Sequence, residues 1–399
     1  MKLKKEKVLL IGTSFSAVPL LHYLKSLDYI VAVCGGLKDD PCHKYADESF
    51  FIDYSKRDEL LQLCESEEFD YLVPSCNDYS YNSASYVATK LNKFYGFDKF
   101  EITNILHTKN GFRKFTIDNN LSVPQAIKYT IDLNLDILTL NYPLLVKPDD
   151  CFSGKGVTKV IENSGLKNAV EIARKNSKNN EVIIEEFVEG SLYSHSAFIQ
   201  DGKILIDFFV DEFCTVYPYQ VDSSCISYNL NEAVKNRIRK DIQRLISLLN
   251  ISDGLLHTQF ISDNTKVWLI ETMRRCPGDL YGSLIKKSMN FNYSEFYCNS
   301  FLNRKNTLAE LRMDTKYIAR HTISTGRDLI FKSLKYDLES KKLDFYPLKE
   351  SGQILKQAPY DKVGLVFYEF DTKEDLIKNT INMKDFFIVD NYDGIVNER

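Results

Sequence analysis

Four short apolar runs of β type, Lys7 to Ile11, Ile30 to Val33, Ser49 to Ile52 and Tyr71 to Val73, alternate with helical patterns near 17–27, 56–66 and 80–94. Apolar runs separated by whole helices are the mark of parallel strands joined by crossovers, since antiparallel neighbours need only short turns. Residues 1 to about 105 are therefore expected to form a parallel, doubly wound sheet. In such a sheet the ligand crevice lies beyond the C-terminal ends of the strands, so Gly35-Gly36 and Asn77-Asp78-Tyr79 are candidate substrate contacts. The first turn, Gly12 to Ala17, keeps only the outer positions of a dinucleotide-binding GxGxxG/A pattern, because Ser14 replaces the Gly that admits a pyrophosphate. A tight turn that caps a helix and binds nothing fits it equally well.

Lys2, Lys4, Lys5 and Lys7 precede the mostly apolar stretch Val8 to Leu21, the outline of a signal peptide. Gly12, Thr13, Ser14, Ser16 and Pro19 interrupt it, and the next β-type run follows at strand–helix–strand spacing, so a structural role is expected instead. No segment approaches the roughly 18 consecutive apolar residues that span a bilayer. The 51 Lys plus Arg against 55 Asp plus Glu give a net charge of -4, which leaves no global footprint for nucleic acid and points to small-molecule partners. The nine cysteines include no CxxC pair and no His at zinc-ligand spacing. They read as reduced thiols, and the expected location is the cytoplasm.

From about residue 106 the texture changes. Lys109 to Asn119 reads as a helix, and Tyr142-Pro-Leu-Leu-Val-Lys-Pro148 as a strand that delivers Lys147. The loop Asp149-Asp-Cys-Phe-Ser-Gly-Lys-Gly156 follows, then a β-type return through Val157 to Ile161, a helix near 165–176 and a strand from Glu181 to Phe187. Two glycines around Lys155 allow a flexible hairpin whose N–H groups can point at phosphate oxygens, with Lys147 and Lys155 adding positive charge. It is not a Walker A loop, because the GxxxxGK[ST] order is absent. The run Val182-Ile-Ile-Glu-Glu-Phe-Val-Glu-Gly190 could offer an adenine ring its strand edge, with the Glu185 carboxylate taking the exocyclic amine. Further on come strands at 193–200 and 203–210, a helix from about 230 to 249, and a hairpin of Gly254 to Ile261 with Lys266 to Thr272. Arg274-Arg275-Cys-Pro-Gly-Asp279 follows the hairpin; an acid with an Arg four residues on suits a metal–triphosphate site. Residues 315–399 read as short strands with one helix near 373–381.

These segments, in this order, resemble the ATP-grasp superfamily, its biotin carboxylase-like and amino acid ligase-like branches most. The resemblance rests on Lys109, "PLLVKP", the loop to Gly156, "IIEEFVEG", "HTQF" and "LIETMRRCPGD". It implies an α/β and α+β multidomain chain. A pre-ATP-grasp doubly wound domain would occupy 1–105, an ATP-grasp domain 106–305 with a small lid subdomain at about 113–188, and a C-terminal β-rich region 306–399. It also implies ATP with Mg²⁺, or Mn²⁺ in its place. Lys109 and Lys147 match the lysines that hold the phosphates, and Ser153, Gly154, Lys155 and Gly156 the loop over them. Glu185, Glu186, Phe187 and Val188 match the adenine hinge. Glu271 and Gln259 stand at the metal positions, and Arg275 at the Arg facing the transferred phosphate or the substrate carboxylate.

Three positions depart from the family pattern: Gln259 replaces a metal-binding glutamate, Met273 an asparagine ligand, and Leu192 an acid that takes the ribose hydroxyls. A neutral amide oxygen still ligates Mg²⁺ without contributing charge, whereas a thioether suits a hard cation poorly. The expected function is ATP-dependent ligation of a carboxylate to an amine or related nucleophile through an acylphosphate. The alternative is a degenerate member that binds nucleotide or metabolite without turnover. Small-molecule substrates are the expected partners, with neither nucleic acid nor membrane, and a homodimer is compatible. In the hairpin, residues 259 and 271 differ by twelve, so a three-residue loop, Asp263-Asn264-Thr265, is expected to put Gln259, Glu271 and His257 on one face.

Overall fold

The computed structural model describes residues 5–135, 138–152, 154–308 and 315–392. In the N-terminal part, β1 (Lys7–Ile11), α1 (Val18–Ser26), β2 (Ile30–Cys34), α2 (Pro41–Tyr45), β3 (Glu48–Phe50), α3 (Arg57–Ser66), β4 (Tyr71–Pro74) and α4 (Asp78–Leu91) follow in order. The strands form a parallel sheet in the order β3-β2-β1-β4. Both faces are covered, which is why β1, β2 and β4 are almost wholly apolar, whereas the edge strand β3, Glu48-Ser49-Phe50, is only partly buried. Leu9 and Ile11 pack on one side with Leu60, Leu63 and Val87, whereas Val8 and Leu10 pack on the other with Leu20, Leu24 and residues beyond 195. Gly12 has φ +109°, and a Cβ there would lie 2.0 Å from Ser75 Oγ, so the first turn owes its glycine to packing against β4.

Helices α5 (Phe100–His107) and α6 (Lys109–Asp118) lead into β5 (Ala126–Lys128), β6 (Leu144–Pro148), β7 (Thr158–Val160), α7 (Leu166–Asn176) and β8 (Val182–Glu186). Here the sheet order is β5-β8-β6-β7, all antiparallel, with α7 burying Leu166, Ala169, Val170 and Ala173 against it.

The chain continues through β9 (Ser191–Gln200), β10 (Lys203–Phe213), β11 (Ser223–Ile226), α8 (Glu232–Leu249), β12 (Gly254–Ser262), β13 (Val267–Met273), α9 (Tyr281–Met289) and α10 (Tyr293–Phe301). After these come β14 (Tyr317–Ile323), β15 (Leu329–Tyr336), β16 (Leu343–Pro347), β17 (Ile354–Leu355), β18 (Gly364–Phe370), α11 (Lys373–Thr380) and β19 (Phe387–Asn391). An eight-stranded sheet runs β13-β12-β9-β10-β11-β14-β18-β16, so strands on both sides of residue 306 share it. A three-stranded sheet, β17-β15-β19, completes the fold. The amphipathic α8 covers one face of the large sheet with Ile238, Ile242, Leu245 and Ile246. The other face meets α9, α10 and the N-terminal sheet in a core that includes Phe198, Tyr281, Tyr293 and Phe301. That seam positions the site.

All nine cysteines are free, and among the described residues no helix is long and apolar enough to cross a membrane.

Candidate functional site

The hairpin of β12 and β13 sets the register. Its connection is not three residues but four, Asp263 to Lys266, since Ser262 pairs with Val267. Asp263 shapes the turn, its Oδ1 accepting from the Thr265 N–H at 2.8 Å and the Lys266 N–H at 2.6 Å. An even loop alone would put Glu271 on the wrong face. A β-bulge corrects this: Phe260 pairs with Leu269 but Gln259 pairs with Glu271, leaving Ile270 as an extra residue. Residues directly opposite in an antiparallel pair point to the same side, so Gln259 and Glu271 share a face, as do His257 and Met273 one step along. The shared face expected from the sequence is present, reached by a different device.

On that face the Gln259 Nε2 donates to Glu212 Oε2 on β10 at 2.6 Å. Glu212 is buried, and burial raises its carboxyl pKa; Arg320 lowers it and Glu271 adds to the rise. With its Nε2 held by Glu212, Gln259 directs its amide oxygen away from that carboxyl. Glu212 lies opposite Ser224, and Ser224 opposite Arg320, whose Nε donates to Ser224 Oγ at 2.9 Å. Sequence reading missed both Glu212 and Arg320. A charged residue in a strand carries no signal of its own until the neighbouring strands are known.

Lys109 and Lys147 come from different elements. The ammonium of Lys109, first residue of α6, donates to the Cys151 carbonyl at 2.6 Å and the Asp149 carbonyl at 3.4 Å. Lys147, on β6, is buried against Glu185 Oε2. The other oxygen, Oε1, accepts from Arg113 Nε at 2.9 Å and Nη2 at 2.7 Å. Burial alone would raise the Glu185 carboxyl, but Arg113 and Lys147 outweigh it and hold the pKa at about 2. The Glu185 side chain thus serves two cations and does not stand free for an adenine amine, a correction to the sequence reading. Glu186 is likewise engaged, accepting from the Asn141 N–H at 2.9 Å and its Nδ2 at 2.8 Å. Phe187 donates its N–H to Pro143 O at 2.8 Å and lies under the Lys159 ammonium at 3.5 Å. Val188 is half-buried at the strand's end.

The loop after β6 lies folded across the seam. Phe152 meets Tyr79 edge-on at 5.8 Å between centroids, Tyr217 Oη donates to the Gly154 carbonyl at 3.4 Å, and Lys155 stands 5.2 Å over the Tyr360 ring. Gly154 and Gly156 have φ of +70° and +72°, as a turn of this kind requires. Ser153 lies outside the described residues.

Arg274 and Arg275 part company. The Arg274 side chain is 1% exposed, and its Nε donates to Asp98 at 2.7 Å, so it acts within the core. Arg275 turns to the N-terminal domain, its Nε and Nη2 donating to Asp78 Oδ2 at 3.0 and 2.7 Å. His107 Nε2 accepts from the Arg274 N–H at 3.1 Å, which puts the ring proton on Nδ1, 3.3 Å from Asp78 Oδ1. Burial opposes ionisation of Asp78, but Arg275 and His107 hold its carboxyl far below the usual range. A small cavity is lined by Asp78, His107, Lys109, Phe152, Glu271 and Met273, joining the N-terminal domain, the loop and the hairpin. Gly35 and Gly36 are not among its lining residues; a Cβ on Gly35 would strike Thr13 Oγ1 at 2.2 Å, which marks it as a packing glycine.

A divalent cation tests these residues for fit. Among the described residues no three His, Cys, Asp or Glu side chains form a metal cluster. Glu271 with the oriented amide oxygen of Gln259 offers two hard oxygen donors on one face, which fits a cation that takes its remaining ligands from phosphates and water.

Residues 140–281 match the family described as the ATP-grasp domain. The carbamoyl phosphate synthase large chain of Buchnera aphidicola is 26% identical over 175 residues, 42% of this chain, which spans only 16% of that protein's length. The formate-dependent phosphoribosylglycinamide formyltransferase of Prochlorococcus marinus strain MIT 9515 is 24% identical over 310 residues, 76% of this chain and 77% of that one. Among solved structures, the L-amino acid ligase from Bacillus licheniformis superposes with a TM-score of 0.79 at 16% identity, covering 98% of this chain and 100% of that one. Phosphoribosylglycinamide synthetase from Anaerococcus prevotii gives 0.76 at 16% identity, with 98% and 100% covered. Residues 140–281 thus match an ATP-grasp domain, and nearly the whole chain shares the fold of an amino acid ligase and of phosphoribosylglycinamide synthetase.

Proposed function

We propose that this protein is an ATP-dependent ligase that joins a small-molecule carboxylate to an amine or related nucleophile in the cytoplasm. The observation that carries the reading is the convergence of Lys109, Glu271, Phe152 and Asp78 on one cavity at the seam of three sheets. Residues 1–105 would carry part of the acceptor pocket, 106–305 the nucleotide site with its lid at about 113–188, and 306–399 the remaining wall.

In the reaction, a carboxylate oxygen attacks the γ-phosphorus of ATP and the bond to the β-phosphate oxygen breaks, giving an acylphosphate and ADP. The nucleophile's lone pair then attacks the acyl carbon, phosphate leaves, and the nucleophile's proton passes to solvent or a nearby base. Phosphoryl transfer asks chiefly for positioning and for neutralising charge on the phosphoryl oxygens. Lys147 and Lys109 would supply fixed positive charge, and the loop with Gly154, Lys155 and Gly156 would exclude water. Glu271 and Gln259 would hold Mg²⁺, which shields the phosphates when bound. Arg275 would steady the developing acylphosphate from its place beside Asp78. Backbone of Glu186, Phe187 and Val188 would meet the base.

Retention of Lys109, Lys147 and Glu271 together supports turnover over nucleotide binding alone. Hydroxylamine trapping tests this: with Mg-ATP and the carboxylate substrate, one hydroxamate should form per ADP released. ADP formation that never yields hydroxamate or amide product would refute the acylphosphate route.

A further inference from the structure

The β13 bulge needs an explanation, because without it the hairpin would form a regular ladder. With four loop residues and no bulge, Gln259 would oppose Ile270, and Glu271 would oppose Thr258, whose fully buried side chain lies on the other face. What holds the bulge comes from far away in sequence. Arg113 on α6 donates from Nη1 to the Leu269 carbonyl at 2.9 Å and from Nη2 to the Ile270 carbonyl at 3.2 Å. The Leu269 N–H meanwhile donates to the Ser122 carbonyl at 2.8 Å. β13 is the outer strand of its sheet, so these two carbonyls, in a water-free interior, need donors from outside it, and a planar guanidinium supplies several in fixed directions. The same group, through Nε and Nη2, holds Glu185, which in turn holds Lys147.

Building on the proposed nucleotide site, we infer that Arg113 is a positioning residue: by capping the bulge carbonyls it fixes the register that brings Glu271 opposite Gln259, and so couples the phosphate lysine to the cation-binding face. Arg113 is buried, with its side chain 3% exposed, and it is not among the residues that line the cavity. Its effect passes through Ile270, the residue immediately before Glu271.

A cycle of variants tests this on the full chain, with Mn²⁺ and ADP as probes and no turnover required. Arg113→Lys keeps a charge beside Glu185 but loses the fork. It should weaken Mn²⁺ binding in the presence of ADP by about tenfold or more, the range expected when an orienting partner is lost. Metal-free ADP binding should stay within about threefold. Deleting Ile270 removes the bulge while leaving Leu269 opposite Phe260 and Glu271 opposite Gln259, so this deletion alone should bind Mn²⁺ as the parent does. In the deletion background, Arg113→Lys should no longer cost Mn²⁺ affinity. Emission of Trp268, the chain's only tryptophan, reads the register independently, since it sits in β13 two residues before the bulge.

An equal loss of Mn²⁺ affinity with and without Ile270 would overturn the inference, as would no loss in Arg113→Lys. Should Arg113→Lys not fold, the deletion alone decides: a tenfold loss there would show that the bulge itself, not the register, serves the cation. A parent protein that binds neither ADP nor Mn²⁺ with ADP would refute the nucleotide site, and this coupling with it; binding of both with an additive cycle would refute only the role of Arg113.

Discussion

Asp78, the first residue of α4, receives two hydrogen bonds from Arg275 across 197 residues of sequence, at 3.0 and 2.7 Å, and both side chains are largely buried. This contact ties the N-terminal sheet to the end of the hairpin that carries Glu271. Removing one partner of a buried pair leaves the other charge unpaired, which typically costs about 3–5 kcal/mol. Asp78→Asn keeps the shape and removes the charge, so a loss of about 2–4 kcal/mol in unfolding free energy is expected, together with lower kcat. Urea unfolding followed by Trp268 emission, alongside ADP release, checks both. Wild-type stability would show that the pair contributes nothing to domain docking.

At the metal face, Gln259→Glu should tighten Mn²⁺ binding by about tenfold, because a second carboxylate joins Glu271 around the cation. The same change should raise the pKa of buried Glu212, which would lose its amide donor and face a like charge. Glu271→Gln should abolish turnover. Metal titration of the two variants provides the comparison, and equal affinities would separate these residues from the cation.

Lys147→Ala should lower activity by about a hundredfold or more, by analogy with a lost donor at a developing charge. The fold should survive, since Arg113 still pairs with Glu185. The informative readout is kcat with circular dichroism as control; a folded variant that turns over at the parent rate would remove Lys147 from the site.

Much of this was legible in the sequence. The alternation of apolar runs and helices in the first hundred residues gave the parallel sheet, because buried strands and crossover helices differ in period. Lys109 and Glu271, singled out by their order along the chain, come to line one cavity, whereas Lys147 stands against Glu185. The four-residue hairpin loop and its compensating bulge were not, because the bulge depends on Arg113, 156 residues before Leu269. Glu212 was hidden for a similar reason: only the pairing of β12, β9 and β10 carries it to Gln259. The Glu185 carboxylate is not free for an adenine amine because Arg113, 72 residues earlier, and Lys147 hold it, contacts that spacing along the chain does not reveal.

Asp211, on the opposite face of β10 from Glu212, supplies a pH dependence. Burial raises its carboxyl to about 6 against opposing effects of Ser227 and Lys235, and its Oδ1 has no hydrogen-bond partner among the described residues. A carboxyl raised in the folded state keeps its proton while the unfolded chain loses one, so stability falls as pH rises from 3.8 towards about 6 and the penalty is complete above that. Asp211→Asn should therefore stabilise the protein by about 1–3 kcal/mol at pH 7.5 and have little effect near pH 4. Melting temperatures at the two pH values check the sign; a destabilised variant at pH 7.5 would mean that the ionised carboxylate is needed.

ADP release, measured with Mg-ATP against pools of small carboxylates and amines offered separately and together, tests the proposed ligase activity most directly. Release that requires a carboxylate, is accelerated by an amine and disappears in Glu271→Gln is the expected result. Tight ATP binding with no ADP release under any pairing, in a protein whose lysines and Glu271 are intact, would contradict ligation and leave a nucleotide-binding protein without turnover.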